Sequence, residues 1–128
     1  MGTDTRSIDE IIDADLARLD RLGKTATEIA QKMQQITDAA CRGLGEWVKI
    51  DDRRQAMVDE AKGIMVCPWP HPGRFCKRLT FVKNVDTGTQ IRWSDLNIHL
   101  IGEHGFFEGV GSEFRIEPIG LVELIFDI

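Results

Sequence analysis

Between Cys67 and Gly73 the chain reads Cys-Pro-Trp-Pro-His-Pro-Gly, and three of its four prolines fall in that stretch. Proline lacks a backbone N–H and holds φ nearly fixed, so this segment is neither helix nor central strand. It marks a change of character. Before it, apolar residues recur at helical spacing; after it, they alternate.

The first half opens with Ser7-Ile8-Asp9-Glu10, a capping box in which serine hydroxyl and glutamate carboxylate each satisfy a backbone N–H. Ile8, Ile11, Ile12, Leu19 and Leu22 share one helical face, and Gly23 is placed to stop the helix. A second box, Thr25-Ala26-Thr27-Glu28, leads into Ile29, Met33, Ile36 and Ala40. That is a narrow apolar stripe, as in a helical hairpin or coiled-coil seam. Gly43 and Gly45 interrupt it. Trp47, Ile50, Met57, Val58 and Ala61 then predict a third helix, from about Glu46 to Lys62, ended by Gly63.

After the proline segment, Lys77 to Val85 alternates, with Leu79 and Phe81 on one face. Asp86-Thr87-Gly88 is a turn, and Thr89 to Trp93 returns with Ile91 and Trp93 on one face. Ser94 and Asp95 suit a helix N-terminus, and that helix ends at Gly105. The loop from His104 to Gly111 is glycine-rich, and Phe114-Arg115-Ile116 reads as a short strand. Pro118 opens a closing helix carrying Leu121, Val122, Leu124, Ile125 and Phe126.

The reading is an α+β protein. Residues 1–64 form a helical hairpin or three-helix half able to serve as a dimerisation or partner-binding element. Residues 65–128 form a β-hairpin packed on a short helix, followed by a closing helix. Leu79, Phe81, Ile91, Trp93, Leu96, Leu100, Leu121 and Ile125 are the expected core.

A chain of 128 residues can bury a core without disulfides or other staples. No apolar run approaches membrane-spanning length, and Met1 to Glu10 is too polar for a secretory signal. These features lead to the expectation of a cytoplasmic protein with reduced cysteines, in which Cys41 is a small buried residue. The net charge of −5 is unevenly spread. Arg74, Lys77, Arg78, Lys83 and Arg92 face only Asp86 across residues 67–93, whereas residues 94–128 are strongly acidic.

Cys67, His71, Cys76, His99 and His104 are the residues with metal-ligating chemistry. Cysteines, then a hairpin, then a helix bearing histidines: this order is similar to a Cys2His2 zinc finger, and the similarity spans Cys67 to His104. It implies a structural zinc held by Cys67, Cys76, His99 and His104, with His71 as an alternative ligand. Eight residues separate the cysteines and 22 lie between Cys76 and His99, both wider than in such fingers. Histidines five apart on an ideal helix point about 140° apart, so His104 must leave strict helical geometry.

Three functional readings follow. One is a small non-enzymatic binding or regulatory protein, with or without a stabilising structural zinc. It would act through a protein partner or as a homodimer, with Trp69, Phe106 and Phe107 as anchors or core plugs. Another is a nucleic-acid-binding module using Arg74, Lys77, Arg78, Lys83 and Arg92, interleaved with Phe75, Phe81 and Trp93. The sequence pI near 5.2 counts against it. The third is an enzyme, metal-dependent or built on His99, Glu103, His104 and Glu108. The chain carries no nucleophile elbow, P-loop, H-E-x-x-H or dinucleotide fingerprint, so the non-enzymatic reading leads.

Overall fold

The computed structural model describes residues 5–66, 74–109, 112 and 115–126, with side chains at 60–66 and 74–77 left aside. Two N-terminal helices come first, α1 (Ile8–Arg21) and α2 (Ala26–Cys41). Four strands follow, β1 (Val48–Lys49), β2 (Arg54–Val66), β3 (Arg74–Asn84) and β4 (Gln90–Ser94), and then α3 (Asp95–His104) and α4 (Pro118–Ile125). The strands form an antiparallel meander in the order β1-β2-β3-β4. The fold is α+β, with helices at both ends of the chain and the sheet between them.

The helix boundaries follow the capping chemistry. Ser7 Oγ accepts from Glu10 N at 3.2 Å, and Thr25 Oγ1 accepts from Glu28 N at 3.2 Å. Ser94 and Asn97 form a reciprocal capping box at the start of α3. Gly105 ends that helix at φ 64°, a conformation glycine adopts without a Cβ penalty.

The region expected to be a third helix is instead β1, a turn and the start of β2. Asp51 decides this. Its Oδ1 accepts from the backbone N–H of both Arg53 and Arg54 at 2.9 Å, a local turn that competes with helix. Beyond the turn the buried positions alternate: Arg54, Ala56 and Val58 point inward, Gln55, Met57 and Asp59 outward. The same residues had matched a helical template because two short alternating runs, offset by the turn, mimic its spacing.

The sheet's facing also differs from the expectation. Leu79, Phe81 and Ile91 were expected in the core, but Thr80 and Val82 take the fully buried positions while those three remain half-buried. A buried threonine is tolerable because Thr37 on α2 meets it, Oγ1 to Oγ1 at 2.8 Å. Trp93 Nε1 donates to the same Thr37 oxygen at 2.9 Å. Trp93, Leu96, Leu100, Leu121 and Ile125 are buried as expected. The expected strand at Phe114–Ile116 is not formed by its described residues: Arg115 and Ile116 are irregular, and Ile116 N donates to Phe107 O at 3.1 Å.

One core joins both halves. Leu19 of α1, Ile29, Met33, Ile36 and Ala40 of α2, Ile101 of α3 and Leu121, Val122, Leu124 and Ile125 of α4 cluster with Ala56, Val58, Val82 and Trp93. The apolar stripe of the N-terminal hairpin is thus packed inside the chain. A second cluster joins Ile11 to Leu96, Leu100 and Phe106.

Two charged ties close the structure. Arg54, 3% exposed, donates Nε to Leu124 O at 2.6 Å and Nη1 to Asp51 at 2.7 Å, placing a cation at the C-terminal end of α4. Arg115 grips the fully buried Asp15 of α1 with both terminal nitrogens, and its Nη1 also donates to Glu108 O at 2.8 Å. No helix among the described residues is long and apolar enough to cross a membrane.

Candidate functional site

Register places side chains on two faces of the sheet. Val58 pairs with Thr80 and Thr80 with Trp93; Ala56 pairs with Val82 and Val82 with Ile91. These residues face the helices. One position out of phase, Met57 pairs with Phe81 and Phe81 with Arg92, Asp59 pairs with Leu79, and Gln55 pairs with Lys83. A shift of one residue sends each of these to the opposite face. There Met57, Leu79 and Phe81 are half-exposed and Arg92 is exposed. Lys49 of β1 lies on this face by its pairing with Gln55, and Lys83 Nζ sits 4.0 Å over the ring of Trp47. The result is an apolar strip with cations around it, on the face away from the core.

The basic residues expected to act together are split by this register. Lys83 and Arg92 are on the outer face. Arg78 lies on the helix side, where its Nε pairs with Asp95 at 3.2 Å and its Nη1 donates to Cys41 Sγ at 3.3 Å. The side chains of Arg74 and Lys77 fall outside the described residues.

The aromatic anchors divide as well. Phe106 and Phe107 are 1% and 0% exposed, so they are core plugs and not surface anchors. The Gly105 turn folds the loop back under α3, and Phe106 N donates to Leu100 O at 3.0 Å. Trp69 lies outside the described residues.

Among the expected metal ligands, His99 and His104 come together. Their ring centres are 5.2 Å apart and their planes 80° apart. Cys67 and His71 lie outside the described residues; Cys76 is placed by its backbone, paired with Ile64 on β3. The helices set the direction of these groups. Along α2, Thr37 lies beside Thr80 and Cys41 beside Arg78, so α2 runs toward the β2–β3 tip. α3 runs the other way: Asp95 is beside Arg78, while Gly102 abuts Ala30. The histidines therefore lie toward the end of α3 away from that tip, and β3 carries Cys76 toward it. Among the described residues no group of three or more His, Cys, Asp or Glu side chains is placed to hold a metal ion.

The acid–base candidates have different settings. Glu103 is exposed on α3, while Glu108 is half-buried at φ 68°, an uncommon conformation for a residue with a side chain. Burial raises the Glu108 carboxyl above the ordinary glutamate range. Asp51 moves the other way: burial alone would raise it, but hydrogen bonds from Arg53 and Arg54 outweigh that and hold it low. Burial alone would likewise lower Arg115, yet its bonds to Asp15 and Glu117 keep the guanidinium's affinity for its proton above the usual value.

The outer face is the feature that sequence reasoning missed. Gln55 to Asp59 reads Gln-Ala-Met-Val-Asp, a short apolar run between polar residues whose periodicity does not separate strand from helix. Comparison with known proteins finds no matching family model, no matching curated protein and no matching solved structure.

Proposed function

We propose that this protein is a small non-enzymatic binding module and that the outer face of its sheet is the docking surface. One observation carries the reading: the helices bury their apolar residues against Ala56, Val58, Val82 and Trp93, leaving Met57, Leu79 and Phe81 half-exposed on the other face. An apolar strip that remains in water after the core is complete favours a partner. Lys49, Lys83 and Arg92 around the strip favour a protein surface with an apolar centre and carboxylates at its rim. The separation of Arg78 from these cations favours a protein over a nucleic-acid backbone, which a continuous basic track would fit better.

Site-specific photo-crosslinking in cells tests this. A photoreactive residue at Phe81 is compared with one at Glu123, exposed on α4. The reading expects a discrete protein adduct from position 81 that is absent from position 123 and abolished by Met57→Glu. Equal labelling from both positions, no adduct from position 81, or an adduct of nucleic acid would overturn it.

A further inference from the structure

We infer that the occupant of the outer face is an amphipathic helix of the partner, carrying two apolar residues one turn apart and a carboxylate one turn further on. The inference rests on the docking reading above and names the shape and chemistry of what docks.

Spacing along β3 sets the pattern. Leu79, Phe81 and Lys83 alternate with the core positions, so they form a row on the outer face with steps of about 6.8 Å. Met57 lies beside Phe81 and widens the apolar centre. Helix residues four apart share a face and advance about 6 Å along the axis. Two apolar residues at that spacing reach Leu79 and the Phe81–Met57 pair, and Asp or Glu one turn on reaches Lys83. An extended segment would match these steps too. Lying on a face, away from a strand edge, it would leave its N–H and C=O groups unpaired over apolar side chains, whereas a helix satisfies its own.

Width and charge agree with this occupant. Lys49 on β1 and Arg92 on β4 stand at the two sides of the face, three strand spacings or about 14 Å apart. A helix with its side chains is about 10–12 Å across and fits between them. Lys83 Nζ is held 4.0 Å over the Trp47 ring, which positions the cation at one end of the row. Asp59, exposed and paired with Leu79, marks the other end and disfavours a carboxylate there. Asp52 lies 3.6 Å from Lys49, but both side chains are exposed and such a pair contributes little. The outward register positions Lys49, Lys83 and Arg92 outnumber Asp59, so stacking two copies would set positive face against positive face.

A library randomised on the exposed positions of one helix in a stable carrier domain, selected for binding to the full-length protein, tests this. Selected clones are expected to carry apolar residues at i and i+4 and Asp or Glu at i+7 or i+8. Their affinity should fall at least tenfold in Met57→Glu and in Lys83→Glu, and should recover in the latter when the clone's carboxylate is replaced by lysine. Failure to select such clones, clones with Lys or Arg in place of the carboxylate, or affinity unchanged by both variants would overturn the inference. With any of these results, a persisting protein adduct from position 81 in cells would leave the docking surface standing and remove only the helix. Loss of that adduct as well would remove both.

Discussion

Arg115 clasps Asp15 across a hundred residues of chain, with Nη2 3.0 Å from Oδ1 and Nη1 on the other carboxylate oxygen. The Asp15 side chain is fully buried and that of Arg115 is 6% exposed, so neither charge is well solvated. Breaking a buried pair by removing one partner costs about 3–5 kcal/mol, because the survivor keeps its desolvation penalty. Asp15→Ala should lose stability near the lower end of that range, since Glu117 still contacts Arg115. Chemical denaturation at neutral pH measures it. A loss below about 1 kcal/mol would mean the pair is solvated.

Glu108 combines backbone strain with a half-buried carboxyl, and pH separates the two. Its folded-state proton affinity is raised, so the neutral carboxyl favours folding below the ordinary glutamate value near 4.5. That contribution is lost as pH rises through the higher folded value. Glu108→Gln should therefore gain stability over wild type at neutral pH and little at acidic pH. Glu108→Gly should add about 1 kcal/mol at acidic pH, because glycine adopts φ 68° without strain, and at neutral pH should gain in addition from loss of the carboxylate, as the glutamine variant does. Denaturation midpoints at two pH values test both; a Gln variant whose gain does not depend on pH would contradict the burial account.

Gly102 of α3 packs closely against Ala30 of α2. A Cβ built there meets the Ala30 Cβ at 2.9 Å, and neither atom can rotate away. Alanine is a better helix former than glycine by about 1 kcal/mol, but overpacking costs about 1–3 kcal/mol. Gly102→Ala should thus fail to stabilise, and Ala30→Gly combined with it should recover much of the loss. Thermal denaturation of the two single variants and the double variant reads the coupling.

Inside the core, Thr37 serves two partners. Its oxygen accepts from Trp93 Nε1 at 2.9 Å and it shares a proton with Thr80 at 2.8 Å. Thr37→Val keeps the shape but leaves a buried indole N–H and a buried hydroxyl unsatisfied. The expected cost is about 2–4 kcal/mol, larger than for Thr80→Val, which spares the indole bond. Equal costs would indicate that the indole finds another acceptor.

Much of the fold was legible from capping and turn chemistry. Ser7, Thr25 and Ser94 begin their helices where the sequence places them, Gly23 and Gly105 end theirs, and Pro118 opens α4. These signals are local, so tertiary context does not need to be known. Trp47 to Ala61 was misread for the opposite reason. Its apolar residues fit two periodicities, and the turn at Asp51 that decides between them is a single side chain satisfying two backbone N–H groups.

Facing within the sheet was harder still. Leu79 and Phe81 are more apolar than Thr80 and Val82, so burial of the larger pair was the natural expectation. The actual choice depends on Thr37, 43 residues away, which makes Thr80 acceptable in the core. A long-range hydrogen bond of this kind leaves no mark in local pattern. For the candidate site, the same reversal turns two expected core residues into surface and exposes the face on which the functional proposal rests.

The most direct test of that face compares Phe81→Ser with Val82→Ser by equilibrium denaturation. Val82 is fully buried against the helices and Phe81 half-exposed on the outer side. Val82→Ser should cost about 2–4 kcal/mol and Phe81→Ser markedly less, although phenylalanine is the larger side chain. The reverse order, with Phe81→Ser the more damaging, would put Phe81 in the core and leave no apolar strip for a partner to cover.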